Sequence, residues 1–151
     1  NKYPQEVHRV LFRNCAGGIV FKGDQVFILQ NDKQEWVLPK GIIRKGSASE
    51  VALKRVLEEG GILAEILAPV GETSYEFYSY SRKQPVCNKI TWFVMETNQD
   101  DYKINTEEGF IDGGFFPIKE AIDKITYSQD KSLVRIAYRK SQYLLNVEKL
   151  A

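Results

Sequence analysis

The reading of this sequence turns on one stretch, Leu38-Pro39-Lys40-Gly41-Ile42-Ile43-Arg44-Lys45-Gly46-Ser47-Ala48-Ser49-Glu50-Val51-Ala52-Leu53-Lys54-Arg55-Val56-Leu57-Glu58-Glu59-Gly60-Gly61-Ile62. Pro39 and Gly41 stop the short apolar run Trp36-Val37-Leu38, since proline cannot donate to a strand ladder and glycine marks a loop. Ser47 to Glu50 fits a capping box, in which the serine hydroxyl accepts an amide hydrogen while the glutamate reaches back. Ala52, Leu53, Val56 and Leu57 then recur at i, i+3, i+4 spacing and form one apolar helical face. Gly60-Gly61 ends the helix. Adjacent glutamates, Glu58 and Glu59, fall at its C-terminal end, where the macrodipole prefers cations. Two readings stand side by side. A hard divalent cation sits on the pair, or the pair is solvated and bonded to Lys54 and Arg55 one turn earlier.

Working outward, Ala16 to Phe21 and Val26 to Leu29 read as a hairpin across Lys22-Gly23-Asp24-Gln25, because apolar, β-branched runs flank a turn signal. Ile62 to Leu67 reads as a strand, and Tyr-rich Thr73 to Tyr80 pairs with Lys89 to Met95 across a polar loop at 81–88. Gly114 to Pro117 reads as a further short strand. Ile118 to Ile125 and Asp130 to Leu145 read as helices, the second with Leu133, Ile136 and Ala137 on one face. Strands interleaved with helices in this order predict a mixed α/β sandwich. No repeat or low-complexity segment breaks the chain, so residues 1–151 are read as one domain.

Composition narrows the function. The 151 residues are 43% hydrophobic and 27% charged with a formal net charge of +1, which suits a globular protein and excludes a disordered one. The near-neutral balance argues against a nucleic-acid partner or an anionic membrane surface, and no apolar run approaches the roughly 20 residues of a membrane span. There is one histidine, His8, and two cysteines, Cys15 and Cys87. Three scattered His/Cys ligands are too few for a structural zinc site. The cysteines lie in apolar stretches and read as buried thiols of a reducing, cytoplasmic compartment. His8 reads as a surface or packing residue, so enzymatic chemistry would run on carboxylates, Lys, Arg, Tyr or a carboxylate-held metal. The sequence opens at Asn1 rather than at a methionine, which leaves a native N-terminal segment open.

Residues 38–62 resemble the Nudix box, Gly-x5-Glu-x7-Arg-Glu-U-x-Glu-Glu-x-Gly-U with U aliphatic, and the resemblance extends over about residues 14–140. Trp36 to Gly41 is similar to the entry of the diadenosine polyphosphate hydrolase branch, as is Glu107-Glu108-Gly109 followed by Gly114-Phe115-Phe116-Pro117. The resemblance implies an α/β/α sandwich with a mixed β-sheet. It also implies Mg²⁺- or Mn²⁺-dependent hydrolysis of a nucleotide-linked pyrophosphate, such as a dinucleoside polyphosphate. Glu58, Glu59 and Glu107 are the metal ligands it implies, and Glu58, Glu59 and Glu108 the catalytic set. Lys40, Gly41, Lys89 and Tyr75 are the candidates for binding a nucleotide-type ligand. Lys89 would meet phosphate oxygens. On Tyr75, Phe77, Tyr78 and Tyr80 alternation turns one parity to the core and leaves the other free to stack a base.

The box departs from the family pattern in two places. Gly41 to Ile62 is one residue short, and the gap falls after Gly46, where the family's first box glutamate should be. Lys54-Arg55 replaces the family's Arg-Glu pair. Residues 55, 58 and 59 share a helix face, so a guanidinium stands where a third carboxylate gathers the metal. Arg55 can fork onto Glu58 or Glu59 and fill the cation's space. Glu35, Glu50, Glu72, Glu107 and Glu108 are the further acids that loops and the helix start can bring. The sequence therefore predicts weakened hydrolysis, or a domain that binds a nucleotide or a partner without turnover.

Overall fold

A computed structural model describes residues 9–150, and His8 lies outside the described residues. The elements run β1 (Leu11–Lys22), β2 (Gln25–Asn31), β3 (Trp36–Val37), β4 (Lys40–Ile42), α1 (Ala48–Gly60), β5 (Glu65–Ser79), β6 (Gln84–Glu96), β7 (Phe110–Pro117), α2 (Ile118–Lys124) and α3 (Ser128–Leu150), with a 3₁₀ turn at Thr106–Glu108 before β7. The strands form one mixed sheet in the order β3-β2-β1-β6-β5, with β4 also on β1 and β7 on β2.

Strands β1 and β6 run parallel from Leu11↔Val86 to Phe21↔Glu96. Such central strands are covered on both faces, which is why Cys15 to Phe21 is an unbroken buried run. Alternation sorts their side chains. Cys15, Ile19, Phe21, Val26 and Ile28 join Ala121, Ile125, Leu133, Val134 and Ala137 of the α2–α3 side. Ala16, Val20, Phe27 and Leu29 join Ala52 and Val56 of α1 on the other. Helices on both faces of a mixed sheet are the expected α/β/α sandwich. Cys15 and Cys87 are both free and buried. Among the described residues, no helix is long and apolar enough to cross a membrane.

Several expectations need correction. The 14–30 hairpin exists only at its tip, where Phe21↔Val26 and Lys22↔Gln25 pair; beyond it that edge of β1 pairs with β4 and that edge of β2 with β3. Residues 62–64 are not strand, whereas β5 continues through bulges near Leu67 and Val70 into the Tyr-rich segment. The polar loop shrinks to a four-residue turn, since Ser79 already pairs with Gln84. On α3 Ile136 is 53% exposed, and Val134 takes the inward place. On α1 Leu57 is 45% exposed, and the buried face is Ala52, Val56, Glu59 and Gly60. Gly60 causes that rotation: a Cβ there would lie 2.6 Å from the Phe27 ring, so its absence lets the helix end press onto β2. Glu59 goes in with it.

Candidate functional site

Ser47 begins α1 by accepting the Glu50 amide hydrogen at 3.2 Å, and Gly61 closes it in the left-handed conformation. The helix has no basic residue in its last turn. Its terminal carbonyls are satisfied by the loop ahead of β7 instead. The Lys103 amide donates to the Gly60 carbonyl at 2.8 Å and the Asn105 amide to that of Glu59 at 3.0 Å. The Asn105 side-chain amide donates to the Glu58 carbonyl at 2.9 Å. Its carbonyl oxygen accepts from the Glu107 and Glu108 amides at 3.1 and 3.3 Å. One asparagine thus clips the 3₁₀ turn to the end of α1 and brings Glu108 to the helix face.

Arg55 occupies the centre of that face. Its Nε and Nη2 donate to Glu59 Oε2 at 3.2 and 2.5 Å, and its Nη1 to Glu58 Oε2 at 3.0 Å. Glu108 Oε2 stands 3.6 Å from Nη2. Lys54 lies 3.8 Å from Glu58 Oε1, so both i, i+4 pairs of the sequence reading are present. Glu59 is only 3% exposed, and its Oε1 is buried with no hydrogen-bond partner among the described residues. Burial pushes its carboxyl up to about 7, against the opposing pull of Arg55 and Lys40. Burial also works against the Arg55 charge, but the Glu59 hydrogen bond and the three carboxylates outweigh it and hold the guanidinium above its ordinary value. The group is possible because of Gly41. A Cβ there would lie 2.5–2.7 Å from Arg55 Cδ, Nε and Cγ, so the arginine stem lies directly on the β4 backbone.

The cluster borders a cleft of about 720 Å³ lined by Lys40, Glu59, Thr73, Tyr75, Phe77, Trp92, Glu108, Tyr127 and Asp130 among others. Strands β5 and β6 wall it. The Tyr75 and Phe77 rings stack at 5.9 Å with 24° between planes. Trp92 donates its indole N–H to Thr73 at 2.7 Å. A chain of side chains across three strands fixes Tyr75: Arg13 Nε donates to Asn88 Oδ1 at 2.8 Å, and Asn88 Nδ2 donates to the Tyr75 hydroxyl at 2.8 Å. Lys40 Nζ stands 6.0 Å from the Tyr75 ring centroid. Toward α3, Glu35 accepts from the Tyr127 hydroxyl and from Asn31 Nδ2. Those bonds lower the Glu35 carboxyl below its usual range and push the Tyr127 phenol up to about 12.

The sequence candidates separate on this geometry. Lys40, Gly41, Tyr75, Glu58, Glu59 and Glu108 come together. Glu107 is exposed and outside the cleft lining. Lys89 pairs with Glu72 at 3.0 Å. It is opposite Ser74 in register, whereas Thr73 and Tyr75 oppose Ile90 and Asn88. Strand alternation therefore turns Lys89 to the face away from the cleft. Neither parity of the Tyr-rich strand is core, for Tyr75, Phe77, Tyr78 and Tyr80 are all at least 40% exposed. Sequence reasoning missed Asn88, Asn105, Tyr127 and Asp130. Only the Asn105 position, two residues ahead of Glu107-Glu108, carried a local signal, as an Asx turn.

A model of the NUDIX domain matches residues 11–136 of the chain. The chain belongs to the NUDIX family. Nudix proteins hydrolyse nucleoside diphosphates linked to another moiety and generally use divalent ions such as Mg²⁺ or Mn²⁺. A Mycobacterium tuberculosis protein carrying the mutator name MutT4 is 27% identical over 146 residues, covering 85% of the chain. The chain spans 56% of the length of that relative. The Caenorhabditis elegans Ap4A hydrolase in a binary complex has a TM-score of 0.63 at 17% identity, over 89% of this chain and 98% of that one. The NUDIX domain of Shewanella oneidensis NrtR, complexed with ADP ribose, has a TM-score of 0.67 at 13% identity, over 91% and 93%. These likenesses are of fold.

The residues present do not fit the divalent ion of the family as they stand. Among the described residues no group of three or more His, Cys, Asp or Glu side chains is arranged to hold a metal ion. One oxygen each of Glu58, Glu59 and Glu108 is turned to the Arg55 guanidinium.

Proposed function

We propose that this Nudix domain binds a nucleotide-linked pyrophosphate, a dinucleoside polyphosphate or similar, in the cleft, and that Arg55 weakens metal-dependent hydrolysis there. The supporting observation is the position of Arg55, donating to Glu58 and Glu59 and facing Glu108. Its charge neutralises part of the carboxylate cluster from within, and its bulk takes the space of a hydrated cation. Lys40 supplies an ammonium for phosphate, and Tyr75 and Phe77 supply aromatic surface for a base. The family's chemistry and the ADP-ribose complex of the NrtR domain support the ligand class.

The test replaces the guanidinium by a carboxylate. R55E should tighten Mn²⁺ binding and raise release of phosphate or nucleotide from dinucleoside polyphosphates by about tenfold or more, the effect of 1.4 kcal/mol on the barrier. Unchanged metal affinity and unchanged turnover in folded R55E would sink the account.

A further inference from the structure

The carboxylates lining the cleft differ in how they are occupied: Asp32 and Glu76 are exposed to solvent at its edge, and the others are more enclosed or paired. Glu59 and Glu108 face Arg55, and Glu35 is bonded through both oxygens, to Asn31 and Tyr127. Asp130 differs from these. It is half-buried in the first turn of α3 and lines the cleft, and no hydrogen bond or ion pair to its carboxylate occurs among the described residues. Burial raises its carboxyl above the usual range, with only the Lys40 charge opposing. It offers two acceptor oxygens that meet no donor among the described residues.

Flat apolar surface lies close by. The Tyr75 and Phe77 rings line the same cleft and are about 40% exposed, and the Tyr127 phenol is within electrostatic reach of both Tyr75 and Asp130. A planar base stacked on the Tyr75–Phe77 pair would share the cleft with Asp130. A carboxylate accepts two parallel N–H groups and donates none. Guanine alone among the common bases offers two adjacent donors on its Watson–Crick edge, N1–H and N2–H. Adenine and cytosine each set a ring-nitrogen lone pair beside their amino group, which a carboxylate oxygen repels. Uracil flanks its single N–H with two carbonyls.

We infer that Asp130 is a specificity residue that reads the N1–H/N2–H edge of a guanine nucleotide stacked on Tyr75 and Phe77, an assignment that rests on the nucleotide-binding reading above. Bases flipped into enzyme pockets are read by the same logic, hydrogen bonds to the edge and stacking on the face. The phosphates then extend toward Lys40, the ammonium beside the Tyr75 ring.

The experiment is calorimetric titration of GDP and of ADP into the wild-type chain and into D130N, with and without Mn²⁺. Wild type should bind GDP about tenfold or more tighter than ADP, the discrimination of one bidentate contact. D130N should lose that preference while keeping or strengthening ADP binding, since an asparagine offers one donor and one acceptor and matches the adenine edge. Retained ADP binding also shows that D130N is folded. Equal affinities in wild type, or a GDP preference that survives D130N, overturn the guanine assignment and leave the nucleotide reading standing. Binding of neither nucleotide under any condition overturns both.

Discussion

Arg55 Nη2 and Glu59 Oε2 meet at 2.5 Å across one turn of α1, and the other oxygen of Glu59 meets no partner among the described residues. The pair follows from packing before function. Gly60 lets the helix end close onto Phe27, this carries Glu59 into a site where it is 3% exposed, and a carboxylate so buried needs a cation or a proton. Arg55, one turn back, supplies the cation through a planar fork.

The burial of Glu59 has a pH signature. Its carboxyl stands at about 7 in the fold, against about 4.3 in an unfolded chain. Between those values the folded protein holds a proton that the unfolded chain has released. The stability from this group is therefore full below about pH 4.3 and is lost as pH rises to about 7, on the order of 3 kcal/mol in all. E59Q carries no such proton. The urea midpoints of wild type and E59Q should converge near pH 4.5 and separate in favour of E59Q as pH rises to 8. Parallel curves across that range would show that Arg55 fully compensates the charge.

Gly41 and Arg55 should be energetically coupled. A methyl group at 41 meets the arginine stem at 2.5–2.7 Å, so G41A must push the guanidinium off its carboxylates or shift β4. It should destabilise by about 1–3 kcal/mol. In an R55A background the obstruction is gone and most of that cost should vanish, giving a coupling of about 1–3 kcal/mol in a double-mutant cycle. Additive effects would place the strain of G41A elsewhere, on the β1–β4 pairing.

The sequence carried the fold wherever a local rule governs the outcome. Ser47 and Gly61 cap α1 as their residue types demand, and the Arg55 fork onto Glu58 and Glu59 follows from i, i+3, i+4 spacing alone. Long-range pairing was not legible in the same way. The parallel β1–β6 ladder joins residues some 75 apart, and nothing in either strand names its partner. The site divides along the same line. Glu58 and Glu59 stand on one helix and were readable, whereas Glu108 arrives only because Asn105 bonds across 47 residues to the end of α1. Lys89 misled because a strand lysine has two faces to choose from, and the choice is set by register rather than by composition.

Lys89 and Tyr75 therefore make a discriminating pair of variants one register step apart on the β5–β6 ribbon. Tyr75 is tied to Asn88 and, through it, to Arg13, and turns its ring into the cleft. Lys89 turns the other way, to an exposed pair with Glu72 that is worth little to stability. K89A should leave nucleotide affinity within error of wild type and shift the melting temperature by a degree or so. Y75A should weaken nucleotide binding by about 1–3 kcal/mol, the value of one base–aromatic stack, and Y75F should keep most of it, because the ring stacks and the hydroxyl only positions. Binding lost in K89A and retained in Y75A would mean that the ligand lies across the outer face of β5 and β6, and that the cleft beside Arg55 is not where it sits.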